Sequence, residues 1–177
     1  MAAVCGTALS TGLLTGCPQV GPAASDTFPD QASACPVMVG DPQIQRAVAI
    51  GRGAGEGFTP YADGDDARLY EGDQGLVMIT PAIRIQALSG DGDEACFQVL
   101  LVNDYQGAFP SSPEPKDQSL FNVHFVRRGD FFVSDGALYD ATTHEMASLD
   151  GLDVLVTASV KGPDSEGAQT LHLTFRE

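Results

Sequence analysis

Two short acidic runs carry the densest oxygen chemistry in the chain: Asp63, Asp65 and Asp66 in one, Asp91, Asp93 and Glu94 in the other. Carboxylates at this density suit a hard cation such as calcium. Neither run has the alternate ligands and the twelfth-position Glu of an EF-hand loop, so solvated turns are the plainer reading and a calcium site is the alternative. A second donor set, Cys96, His124, His144, Met146 and His172, invites a test for copper. The close grouping of Cys, His and Met in one loop is missing, and His124 and His172 fall on the polar phases of alternating segments. Hydrolytic motifs are absent too, with no Gly-x-Ser-x-Gly, no His-Glu-x-x-His and no glycine loop followed by Lys. The glycine-rich run 51–57 lacks both that lysine and a following helix, so it is not a phosphate cradle. The expectation is a chain without catalytic residues or a cofactor.

The elements that would position these residues are short apolar runs separated by Gly and Asp. Candidate strands cover 43–50, 68–70, 76–88, 96–102, 121–125, 131–133, 154–160 and 171–175, with Pro81 interrupting the third. The last two alternate most cleanly, and the run 96–102 is apolar on both faces, as in the middle of a sheet. Asp-Gly pairs at 63–64, 91–92, 135–136 and 150–151 supply turn chemistry between them. Only 142–149 reads as helical. The pattern predicts an all-β domain over 43–177, an antiparallel β-sandwich of seven to eight strands, with an up-and-down barrel as the alternative.

Composition bounds the partners. The 177 residues hold 24 acidic and 9 basic side chains, a net charge of −15, which would repel a phosphate backbone and argues against nucleic acid. No apolar run reaches the length of a spanning helix. Residues 18–42 carry five prolines and many small polar side chains, and read as a flexible tether.

Residues 1–16 have no charged side chain and end in Leu14-Thr15-Gly16-Cys17, which resembles the lipobox of bacterial lipoproteins. The resemblance implies a signal peptide over 1–16, cleavage before Cys17 and a diacylglycerol on its thiol. It also implies a Pro-rich tether over 17–42 and attachment to a membrane of the cell envelope. Pro18, standing where Asp would signal inner-membrane retention, favours the outer membrane. No Lys or Arg precedes the apolar run, so the expected start of translation lies a few residues upstream. Export without a lipid and a weakly apolar cytosolic terminus are the other readings. With Cys5 removed and Cys17 lipidated, Cys35 and Cys96 remain, and in an oxidising compartment they could pair; two unrelated thiols are the alternative.

A second resemblance covers about thirty residues. Gly55 to Gly64 (GEGFTPYADG) and Leu69 to Gly75 (LYEGDQG) are similar to a pattern in predicted lipoproteins of myxobacteria and similar bacteria. That likeness implies an immunoglobulin-like form of the sandwich and supplies no activity. Where many of those proteins have a His or aromatic after Gln-Gly, this chain has Leu76-Val77-Met78, so no role is carried over there. The glycines read as turn geometry around Gln74, with Phe58 plugging one end of the domain. Together these features predict a non-enzymatic envelope lipoprotein that is structural, adhesive or partner-binding, contacting an envelope protein or polysaccharide. The competing class is an extracellular enzyme or a calcium-dependent carbohydrate binder built on the two acidic runs.

Overall fold

The computed structural model describes residues 29–72, 74–110 and 116–177. Its strands are β1 (Ile44–Gln45), β2 (Val48–Arg52), β3 (Thr59–Pro60), β4 (Asp66–Glu71), β5 (Val77–Ile79) and β6 (Ala82–Gln86). They continue with β7 (Glu94–Asp104), β8 (Lys116–Arg128), β9 (Phe131–Ser134), β10 (Asp140–Thr142), β11 (Asp153–Lys161) and β12 (Ser165–Arg176). One helical turn, α1 (Met146–Leu149), precedes β11. The long ladders follow from alternating residues: β7 pairs with β8 from Glu94↔Val126 to Asp104↔Lys116, and β11, through a short turn, with β12 from Asp153↔Thr174 to Lys161↔Glu166.

Hydrogen bonding runs in the order β10-β5-β4-β12-β11-β7-β8-β9-β6-β2-β3. Ile44 and Gln45 pair with Ser165 and Glu166 of β12, whereas Val48 to Gly51 pair with β6. The first strand segment therefore touches both ends of the path from β12 to β6, and the sheet curls back on itself. This seam requires Gly167, because a Cβ there would lie 2.2 Å from the Arg46 carbonyl oxygen. Inside the curl, alternate residues of the strands form one core. Phe97, Val99 and Leu101 of β7, Phe125 of β8, Phe132 of β9, Val154 and Val156 of β11, and Leu173 and Phe175 of β12 are all buried. The Phe97 ring stands edge-on to Phe125 with centroids 5.4 Å apart. β4, β5 and β10 extend the sheet beyond β12, and Leu69, Val77 and Ile79 join the same core.

The all-β expectation holds, but the antiparallel one is corrected at two pairings: β1 and β4 both run parallel to β12. Neither strand is adjacent to β12 in sequence, so neither pairs with it through a hairpin. The strands join in one curled, mixed sheet, which does not by itself establish the two layers of an immunoglobulin-like sandwich. Inward and outward residues alternate equally in either arrangement, so periodicity does not separate them. Among the described residues there are twelve strands where seven or eight were expected. The run 43–50 divides into β1 and β2, Pro81 divides 76–88 into β5 and β6, and β3 and β10 are too short to show a period. The Gly72–Gly75 turn forms as read, with the Gly75 amide donating to the Gly72 carbonyl at 2.8 Å.

The lipobox, its Cys17, the signal over 1–16 and the first part of the tether lie outside the described residues. From Pro29 the chain is laid along the body instead of standing off it. Ala32 donates to the Ala137 carbonyl at 2.8 Å, His124 to that of Ser33 at 2.9 Å, and Gln43 to that of Asp164 at 2.7 Å. Gly136 permits this approach, since a Cβ there would sit 2.5 Å from the Ala32 nitrogen. Within the stretch read as a tether, residues 29–42 thus form a docked arm.

Candidate functional site

The first acidic turn caps the free edge of β12. Asp63 Oδ1 accepts the His172 amide at 2.7 Å, and the Gly64 amide donates to the His172 carbonyl at 2.7 Å. Asp65 Oδ2 accepts the Ala62 amide at 2.9 Å, and Asp66 meets Arg176 at 3.2 Å on an exposed surface. The second turn grips buried groups. Asp91 accepts from Arg46 Nη1 at 2.6 Å, Arg46 Nη2 at 3.1 Å and the Leu88 amide at 2.7 Å. Those Arg46 bonds, first among several causes, hold the Asp91 carboxyl below the usual carboxylate range. The Asp93 carbonyl accepts the Arg127 amide at 2.7 Å.

The two turns do not converge. The first bonds His172, while Arg46 of the second bonds Glu166, which along an extended strand is about 20 Å away. Among the described residues, no three of His, Cys, Asp and Glu gather where they could hold a metal ion. The copper candidates scatter as well. Cys96 is bonded to Cys35, His144 stacks on Phe109 at 3.9 Å, and His172 is exposed on β12.

One cluster does assemble, where the arm meets β8. Cys35 and Cys96 form a disulfide with Cα atoms 6.0 Å apart. Across the sheet from Cys96 stands His124, whose Nδ1 lies 3.0 Å from Asp135 Oδ2 and whose Nε2 lies 3.5 Å from Glu94. Asp135 Oδ1 accepts the Ser33 amide of the arm at 2.8 Å. The hydrogen bond to Asp135 pulls the His124 pKa above its ordinary value against the opposing effect of burial. Burial pushes the Asp135 carboxyl up, but the bonds from Ser33 and His124 together carry it below the usual range. One imidazole and one carboxylate thereby clasp the arm that the disulfide pins.

A second cluster was not singled out by motif reading. At the far end of the β7–β8 hairpin, the Tyr105 hydroxyl donates to Asp117 at 2.5 Å and lies 3.0 Å from Thr142 Oγ1. Asn103 donates to Asp140 at 2.8 Å, and Ser119 Oγ also donates to Asp140. Desolvation raises the pKa values of Asp140 and Tyr105. Asn103 Oδ1 and the Nε2 of His144 have no partner among the described residues. The signal was available, because Asn103 shares the inward parity of Val99 and Leu101, and Asp117 that of Val123 and Phe125. A polar residue on the apolar phase of a strand must find a bonded partner indoors. Here Tyr105 donates as a neutral phenol and each carboxylate is held by a donor, so the network ties β10 to β7 and β8. No protein-family model, curated protein or solved structure matches the chain.

Proposed function

We propose that this chain is a non-enzymatic lipoprotein of the cell envelope, its β body held at a membrane by a diacylglycerol on Cys17 and presenting its surface to a protein or polysaccharide partner. The observation that carries the reading is the disulfide between Cys35 and Cys96, which suits an oxidising compartment outside the cytoplasm. The docked arm adds to it. From Cys17 to Pro29 there are twelve residues, at most about 40 Å of chain, so a lipid on Cys17 keeps the body close to a membrane surface. Pro18 favours the outer membrane.

Metabolic labelling with a palmitate analogue tests the anchor. Label is expected on the wild-type chain and lost in Cys17→Ser. A wild-type chain without label, or label that persists in the variant, would overturn lipidation at this position.

A further inference from the structure

A pocket of about 290 Å³ opens where the arm enters the body. Pro29, Arg52, Tyr61, Asp66, Arg68 and Tyr70 are among its walls. Two of the chain's nine basic side chains thus meet in one pocket of a molecule whose net charge is −15. Both arginines are exposed, so a ligand entering from solvent can reach them. Each guanidinium is braced by a ring, Arg52 with its Cζ 5.8 Å from the centre of Tyr61 and Arg68 with its Cζ 5.2 Å from that of Tyr70. Contact with a ring face does not use up the N–H donors, which lie in the plane of the guanidinium. Among the described residues no hydrogen bond or ion pair answers those of Arg52.

The walls select the chemistry of an occupant. Guanidinium forks suit an oxyanion, phosphate or carboxylate, which accepts two N–H bonds at once. Asp66 makes the opposite demand. Its side chain stays 66% exposed while it pairs with Arg176, and it repels a bare anion. An ammonium group on the same ligand removes that conflict and adds no net charge to an already negative molecule. The volume, below the roughly 300–1,000 Å³ of drug-sized pockets, admits a small zwitterionic group and leaves no room for acyl chains. Position favours a phospholipid as its source. Pro29 is both a wall of this pocket and the point from which at most about 40 Å of chain leads back to Cys17.

We infer that this pocket binds the zwitterionic phosphoethanolamine headgroup of a membrane phospholipid, an inference that rests on the membrane-anchored reading above and names the surface its body meets. Arg52 and Arg68 donate to phosphate oxygens, and Asp66 accepts from the ammonium. Without the headgroup, Asp66 does no more than pair with Arg176.

The full chain is titrated with glycerophosphoethanolamine, inorganic phosphate and β-alanine, read by amide shifts. Glycerophosphoethanolamine is expected to saturate in the millimolar range, to shift the amides of Gly53, Arg68 and Thr80 in the pocket wall, and to bind about threefold more tightly than the other two. Arg52→Gln should weaken it about tenfold, as for one lost charge-assisted hydrogen bond, with an unchanged Tm because that guanidinium meets only the Tyr61 ring. Asp66→Asn should erase the preference over phosphate. The source is read on the wild-type chain seated in nanodiscs. In phosphatidylethanolamine the pocket is filled and added glycerophosphoethanolamine shifts nothing, whereas in phosphatidylglycerol it still titrates. No saturation, equal binding of phosphate or β-alanine, full affinity in Arg52→Gln, or titration that persists in phosphatidylethanolamine would each overturn the inference. Palmitate labelling is blind to the soluble titration, so a failed headgroup site and a failed anchor are told apart.

Discussion

The turns at 63–66 and 91–94 each place three carboxylates within four residues, yet they meet cations in different settings. Asp66 pairs with Arg176 where the side chains are 66% and 51% exposed, and water screens most of the attraction. Asp91 pairs with Arg46, whose side chain is 6% exposed, so the guanidinium depends on this carboxylate for its charge balance. The second turn also leads directly into Glu94 beside His124 and into Cys96 bonded to Cys35. What separates the two turns is the burial of the cation, which residue type and spacing do not encode. The first turn finishes a sheet edge, whereas the second joins the seam and the arm.

The largest effect that would sharpen this contrast comes from the cross-link beside the second turn. Cys35→Ala with Cys96→Ala should lower stability by about 4 kcal/mol, chiefly by freeing the unfolded chain across a separation of 61 residues. Urea denaturation of the double variant measures it; a loss below about 1 kcal/mol would mean that the arm and the second turn hold without the bond. Next comes Asp91→Ala, expected to cost about 3 kcal/mol because it strands the Arg46 charge. Pairing it with Arg46→Met should recover most of that loss, since an apolar pair of similar volume removes the uncompensated ion. If the single variant is as mild as an exposed substitution, the contrast between the turns is broken.

A smaller effect depends on pH. The His124 pKa is raised, so its contribution is fully present below about pH 6.5 and is lost as pH rises through the raised value. The Asp135 pKa is lowered, so its contribution is present above about pH 4 and is lost as pH falls through the depressed value. The clasp on Ser33 is therefore strongest between those limits. His124→Gln should remove the decline on the alkaline side, about 1 kcal/mol, while the acid limb stays. Thermal melts from pH 3 to 9 check this. A decline that survives in the variant would assign it to another group.

Much of the body was legible because alternation is a direct print of burial. Val154 to Val160 and Leu171 to Phe175 lie on the strands their period predicts, and Pro81 breaks its segment as a residue without an amide proton must. Closure was not legible, because the residues that make the seam, Ile44 to Arg46 against Ser165 and Glu166, are paired over some 120 positions by an approach that only Gly167 betrays. The docked arm was hidden for a related reason: the groups it contributes to its bonds with the body are main-chain amides and carbonyls, to which proline-rich composition is indifferent. Of the site residues, the acidic runs stood out by density, while Asp117 belonged to no motif and showed only as a polar residue on the apolar phase of its strand, and Asp140 lies on a strand too short to show a phase.

The smallest predicted effect belongs to the first turn. Asp66→Ala removes an exposed ion pair with Arg176 and should change stability by less than about 0.5 kcal/mol, falling further in 0.5 M salt. Asp63→Ala should cost somewhat more, about 1 kcal/mol, because its carboxylate accepts the His172 amide at the strand edge. Both figures assume that these carboxylates serve the fold alone. If millimolar calcium raised the wild-type Tm by several degrees and Asp66→Ala abolished that rise, the first turn would be a cation site, and the two turns would differ by ligand and not only by the depth of their cations.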